Sequence, residues 1–414
     1  MKQRDDSLHG DADAARDAPL PPPPSPHHSP ALPKWLAVVE AGLAALGRFM
    51  QSPVGTHFVA FVGGVLLVWM LSGSREKIIV VDGAREIPDP IATPALRYDW
   101  QDAGTPLFPI PVYAQFLKDA RIVIDPGHGG RGDSPDFKRG PTGLREAEVN
   151  LSVSLFLQEF LESVGARVIM TRTRDVYLDR NNNEDLRLRA ARANRANADL
   201  LISVHHNAAG SAEPNYSLIF YHQNGADSPA SLCAARHLLT GLNDSMRLEQ
   251  QVECAIRSDT TLYDSGLAIL RHATVPAVLT ESSFFSNPEE ESRLRDPVYN
   301  RREAYGLFLG LARWAQAGLP RIKQVDAPRD VKSGSDVAWI ELYDGLTGRG
   351  VGGPAMETIR WDTVRVRRNG AWVSVGMDPS KKLISVAANR GDQLFVDFQN
   401  VFGQHVIHPH VTVR

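Results

Sequence analysis

The sequence predicts an α/β protein in which a mainly parallel sheet is flanked by helices, preceded by one transmembrane helix and followed by a small all-β, sandwich-like domain. Three observations carry that expectation. Between residues 120 and 318, apolar runs of strand length alternate with amphipathic helical stretches, as in a sheet whose parallel strands are joined by crossover helices. Between Arg48 and Arg75 there is no Asp, Glu, Lys or Arg. Beyond Pro320 the pattern changes to period-two segments around Asn369-Gly370, a dipeptide suited to a tight hairpin.

Residues 1–52 are rich in Pro, Asp, Ser and His and lack a periodic apolar face, so they are expected to form a disordered cytoplasmic tail. Residues 53–73 include PVGTHFVAFVGGVLLVWMLS, which as a helix is long enough to cross a hydrocarbon layer of about 30 Å. The leader before it is acidic, and the run exceeds the roughly 7 to 15 apolar residues of a signal peptide, so an anchor is favoured over a cleaved signal. Basic residues are balanced on its two sides, so orientation must come from function. Residues 74–119, broken by Pro88, Pro90, Pro94, Pro106, Pro109 and Pro111, read as a Pro-rich linker.

Residues 120–318 open with a strand at Ile122–Ile124. A helix follows, with Val149, Val153, Phe156, Leu157, Phe160 and Val164 at spacings of three and four and Gly165 placed to end it. A strand at 167–171, a helix at 185–198, strands at 200–204 and 218–221 and a helix at 228–242 come next. Strands at 267–270 and 277–280 and a long helix at 298–317 complete the unit. Residues 330–414 contribute only strands, among them 339–343, 363–367, 371–375, 383–387, 394–398 and 410–413.

Composition narrows the chemistry. Lys and Arg number 45 against 48 Asp and Glu, a net charge of -3, which argues against a partner held by phosphate neutralisation and so against nucleic acid. The two cysteines, Cys233 and Cys254, have no Cys-x-x-Cys spacing, which excludes a thiolate cage; two unpaired buried thiols are favoured over a bridge. Any metal must therefore be held by histidine and carboxylate.

Such residues lie where an open α/β sheet puts its ligands, at the carboxyl ends of strands. The first strand runs into Asp125-Pro126-Gly127-His128-Gly129-Gly130, and Glu146 follows at the start of the first helix. The strand at Leu200–Val204 runs into His205-His206-Asn207. Two histidines and one carboxylate from three elements can leave a tetrahedral zinc one open position for water, the requirement of a hydrolytic site. A fourth element, Val275–Thr280, ends in Glu281, whose burial would raise its pKa toward a useful range. Periodicity alone leaves Glu148 competing with Glu146, and His206 with His205, because each pair points to different sides of its element.

The segments IVIDPGHGG, GLREAEVNLSV, TRTRD, ISVHHNA and LRHATVPAVLTESSFFSNPEE resemble, in order and spacing, the motifs of the zinc-dependent N-acetylmuramoyl-L-alanine amidases, over about residues 120–318. The resemblance implies a zinc amidase fold there, with His128, Glu146 and His205 as the Zn2+ ligands and Glu281 as the catalytic glutamate. Position 206 is His where that family more often has a small residue, and position 282 is Ser where Gly or another small residue is common. The implied substrate is peptidoglycan, cut between N-acetylmuramic acid and L-alanine by zinc-activated water with Glu281 as general base. The implied location is the inner membrane, single-pass, with the catalytic domain periplasmic or otherwise extracytoplasmic. A non-catalytic peptidoglycan-binding regulator and a zinc peptidase acting inside the stem peptide are the alternatives. An activator from the envelope or division machinery stays open. Three features read as structural: Asn287-Pro288-Glu289-Glu290 as a helix start, Arg172, Arg174 and Asp175 as a solvated strand end, and His405, His408 and His410 as an exposed strand end.

Overall fold

The computed structural model describes residues 108–130, 138–223, 228–328, 336–346 and 358–414. The expected tail at 1–52, the apolar segment at 53–73 and the linker up to residue 107 lie outside them. The membrane-spanning part of the expected fold class is corrected. Among the described residues no helix is long and apolar enough to cross a membrane. The longest of them, Pro297–Gln316, carries Arg301, Arg302, Glu303 and Arg313, charges that a hydrocarbon layer excludes.

Six strands form the central sheet: β1 (Arg121–Pro126), β2 (Arg167–Met170), β3 (Leu200–Asn207), β4 (Leu218–Tyr221), β5 (Ile256–Ser258) and β6 (Ala277–Phe284). Their order is β2-β1-β3-β6-β4-β5. Only the β4–β6 pair is antiparallel; the other neighbours are parallel. Helices α1 (Glu146–Ser163), α2 (Asn182–Ala196), α3 (Pro229–Met246), α4 (Ala268–Arg271), α5 (Pro288–Leu294) and α6 (Pro297–Gln316) connect and cover it.

Both faces of the sheet are buried, which is why its strands read as continuous apolar runs. Ile122, Ile124, Leu200, Ile202 and Val204 pack with α1, α3 and α6. The alternate residues Val123 and Leu201 pack on the other side with Ala190 and Ala193 of α2 and Ile269 and Leu270 of α4. The stripe on α1 is buried as its spacing requires, through Val149, Val153, Leu157 and Phe160. The helix ends at Gly165 (φ +81°).

One element differs in kind from the expectation. Leu267–Leu270, expected as a strand, is mostly the single helical turn α4, and the edge strand β5 comes earlier, at Ile256–Ser258. A four-residue apolar run packs equally well in either conformation, so periodicity cannot separate them.

From Arg321 onward the described residues form strands, with one 3-10 turn at Pro379–Lys381. Strands β7 (Arg321–Val325), β8 (Val337–Tyr343), β11 (Gly376–Asp378) and β12 (Leu383–Ala387) form one antiparallel sheet. Strands β9 (Ile359–Arg368), β10 (Ala371–Val373), β13 (Gln393–Asn400) and β14 (His410–Thr412) form the other. Ile340, Ile384, Val366, Val396 and Phe398 from both sheets share one core. Asn369 and Gly370 turn β9 into β10 with positive φ at both positions (+49° and +87°), the geometry that favours this dipeptide in a hairpin.

Polar contacts tie the β sheets to the α/β layers. Buried Asp199 accepts from the Arg121 amide at 3.0 Å and pairs with Arg321 at 2.9 Å and His408 at 3.4 Å. His405 pairs with Asp397 at 2.8 Å, so His405 and His408 have acid partners that the sequence did not reveal. The cysteines are free, Cys233 buried and Cys254 exposed, where two buried thiols were expected.

Candidate metal centre

The carboxyl ends of β1 and β3 and the first residue of α1 meet at one edge of the sheet. His128, Glu146 and His205 each offer a donor atom there, all within 4.8 Å of one another. Nε2 of His128 lies 3.0 Å from Oε2 of Glu146, and Nδ1 of His205 lies 3.0 Å from Oε1 of the same carboxylate. The two imidazole rings meet edge to face, with centroids 4.7 Å apart.

His128 is delivered by an unusual turn. Its own φ is +59°, and Gly129 (+122°) and Gly130 (+69°) follow in the same half of φ space. A non-glycine residue held there costs on the order of 1–3 kcal/mol and needs support from its surroundings. Two buried arginines supply it. Arg189 donates to the carbonyls of Pro126 (2.9 Å) and His128 (2.8 Å). Arg172 donates to Pro126 (2.9 Å), Gly127 (2.8 Å) and Ala147 (2.8 Å), which binds the β1 turn to the first turn of α1. Arg172 is 3% exposed, so it is no solvated strand end. Burial, with the charge of Arg189 beside it, pushes its pKa down to about 10, which still leaves it cationic at neutral pH.

The charge of Arg189 is answered by Asp125 at 3.1 Å and Asp185 at 2.7 Å, with Arg189 and Asp125 1% exposed. Burial opposes ionisation of Asp125. The Arg189 guanidinium and the Thr171 and Ser203 hydroxyls outweigh it and hold the pKa below its ordinary value. A carboxylate depressed in this way contributes stability above its unfolded pKa of about 3.9, and that contribution is lost as pH falls through the lower folded value. Arg189→Met should leave Asp125 buried without its cation and destabilise the fold by about 3–5 kcal/mol. Urea unfolding at pH 7 checks this; a loss below about 1 kcal/mol, the scale of a surface ion pair, would show that the pair does not organise the turn.

Gly127 is required by a close approach. A Cβ built on it would lie 2.3 Å from the His205 ring. Gly127→Ala should therefore displace His205 and weaken metal binding while leaving the sheet intact. Zinc competition with a chelator, together with the thermal midpoint, tests this; wild-type affinity would contradict it.

The structure separates the competing residues. Glu146 is 2% exposed and faces both imidazoles, whereas the Glu148 side chain is 54% exposed and pairs with Arg145 at 3.1 Å. His205 opens toward the centre, while His206 turns through the sheet and is fully buried against Glu303. Burial opposes the charge on Glu146, but the facing imidazoles outweigh it and hold the carboxyl well below its usual range. Burial pushes His128 below its ordinary value, with partial opposition from Glu146. The result is an ionised carboxylate and a neutral imidazole with a lone pair to donate. Two imidazole nitrogens and one carboxylate oxygen form a donor set that fits zinc.

Glu281 is the in-register partner of His205 across the parallel β3–β6 pair and is 7% exposed. In-register neighbours leave a sheet on the same side, which places Glu281 on the side of the sheet from which His205 projects.

Other contributors escaped the sequence reading. The Glu291 carboxylate accepts from the Thr142 and Leu144 amides at 2.9 and 3.0 Å and so fixes the turn that leads into Glu146. Asn287 does cap α5, as expected, through the Glu289 and Glu290 amides. Asn150 donates to Glu146 at 3.2 Å, and its position one helical turn later was the signal that could have found it.

Two half-buried histidines around a buried carboxylate, at the carboxyl edge of a mainly parallel sheet, define a candidate hydrolytic metal centre. Residues 122–313 match the family described as N-acetylmuramoyl-L-alanine amidase. The germination-specific N-acetylmuramoyl-L-alanine amidase of Bacillus subtilis is 31% identical over 201 residues, covering 47% of this chain and 78% of that protein. The amidase AmiC of Escherichia coli is 26% identical over 282 residues, covering 58% of this chain and 66% of that one. Among solved structures, the catalytic domain of the amidase CwlV from Bacillus (Paenibacillus) polymyxa is 26% identical, with a TM-score of 0.40, covering 47% of this chain and 97% of that one. The chain belongs to the N-acetylmuramoyl-L-alanine amidase family.

Proposed function

We propose that this protein hydrolyses the amide bond between the lactyl group of N-acetylmuramic acid and the L-alanine of the stem peptide, with His128, Glu146 and His205 holding zinc and Glu281 as general base. The observation that carries the reading is the convergence of those three donors within 4.8 Å beside Glu281, in a chain of this family. Zinc bound there would supply a Lewis acid that polarises the scissile carbonyl and lowers the pKa of water toward about 7.

The remaining work falls to the chain. Glu281 takes a proton from the attacking water on its carboxylate as the oxygen adds to the carbonyl carbon. It then returns that proton to the departing L-alanine nitrogen as the carbon–nitrogen bond breaks, so no covalent bond to the protein forms. Glu146 would supply the anionic donor between the two imidazoles. Arg172 and Arg189 keep the His128 turn in place. Because peptidoglycan lies outside the cytoplasm, the catalytic unit works in the periplasm or another extracytoplasmic space.

The test is metal content and turnover measured together on the purified chain. One zinc per chain and turnover abolished by a strong chelator is the expected result. Turnover that survives metal removal contradicts the reading.

A further inference from the structure

Behind Glu146, a series of buried polar groups leads away from the centre and takes no part in the steps above. Asn150 donates through Nδ2 to Glu146 Oε1 at 3.2 Å and to the Gly127 carbonyl at 3.3 Å. The backbone amide of His206 also donates to Glu146 Oε1, at 3.2 Å. Asn150 Oδ1 meets His206 Nδ1 at 2.8 Å, and His206 Nε2 meets Glu303 Oε2 of α6 at 2.8 Å. Both side chains of the His206–Glu303 pair are 0% exposed.

The direction of each bond follows from what each atom can do. The Gly127 carbonyl can only accept, so the Asn150 amide must turn its NH2 toward it and toward Glu146 Oε1 beside it. The reverse orientation would set the amide oxygen against a carboxylate oxygen. Asn150 Oδ1 must then accept, which makes His206 Nδ1 a donor. A proton shared between His206 Nε2 and Glu303 Oε2 completes the series and holds the ring in that orientation.

We infer that His206 and Glu303 are positioning residues for the metal centre: they hold the Asn150 amide against Oε1 of Glu146 and so fix the orientation of the carboxylate that lies between His128 and His205. Oε1 receives the Asn150 amide and the His206 backbone amide, and it also lies 3.0 Å from Nδ1 of His205. Oε2 faces His128 Nε2 at the mouth of the site. A carboxylate fixed in this way would bind a metal without first losing rotational freedom. Outer groups that orient a ligand typically change metal affinity by about 10- to 100-fold. For stability alone a pair of apolar side chains would serve at 206 and 303, because burying a charged pair gains little net energy.

That contrast supplies the experiment, which rests on the metal-centre reading above. Zinc affinity of the full chain is measured by competition with a chromophoric chelator, alongside the thermal midpoint of the metal-free protein. The double variant His206→Leu/Glu303→Met replaces the pair with apolar groups of similar bulk, so it should fold with a preserved or raised midpoint. Its zinc affinity should nevertheless fall by about 10- to 100-fold. Glu303→Gln keeps an oxygen for His206 Nε2–H and should stay near wild type. Wild-type affinity in the double variant would overturn the inference while leaving the metal centre standing, as would a loss in Glu303→Gln equal to that of the double variant. A wild-type chain that binds no zinc would overturn the metal-centre reading itself.

Discussion

Glu281→Gln is expected to fold, to hold zinc as the wild type does, and to lose turnover on peptidoglycan by about 10²- to 10⁴-fold, the usual consequence of removing a general base. The substitution keeps the size of the side chain and most of its hydrogen bonding but cannot take a proton. Glu281 lies in the interior of the sheet, between β3 and β4, as the register partner of His205 on one side and Leu218 on the other. A residue so placed has three separable roles. As a base, it leaves zinc content unchanged and turnover collapsed. As a structural acid, its neutral isostere keeps turnover nearly intact. As a ligand, zinc is lost together with activity. Metal analysis and turnover on one preparation distinguish the three.

His128→Ala should abolish zinc binding and activity together. It removes one of the two imidazoles and leaves Glu146 and His205 to hold the ion alone, which is too few donors for a closed site. The fold should survive. Alanine at φ near +59° is strained by about 1–2 kcal/mol, comparable to what histidine already tolerates there, and the Arg172 and Arg189 contacts reach backbone carbonyls that the substitution leaves in place. Stoichiometric zinc in the folded variant would remove His128 from the centre.

Much of the α/β architecture was legible because both faces of its sheet are buried. Runs such as Leu200–Val204 are therefore apolar throughout, and the stripe on α1 has a period that only a half-buried helix needs. The candidate centre was legible for a related reason: His128, His205 and Glu281 each follow an apolar run, a position where a polar residue stands out. Choosing Glu146 over Glu148 and His205 over His206 needed either the motif order or the structure, since neighbouring residues differ only in the side to which they point. The support behind the centre was not legible. Arg189 sits in RLRAARANRA among residues that look solvent-facing, and Arg172 lies in TRTRD, yet both are buried beneath the His128 turn by chain crossings that no local pattern encodes. Glu303 was hidden in the same way, as a charge on the packed face of α6.

The central claim concerns which bond is cut, and mass spectrometry of the products from purified peptidoglycan tests it most directly. The expected products are stem peptides with a free L-alanine amino terminus and glycan strands that keep an unsubstituted lactyl carboxylate. New amino termini inside the stem peptide, new reducing sugar ends, or no products at all with a zinc-loaded chain would contradict it.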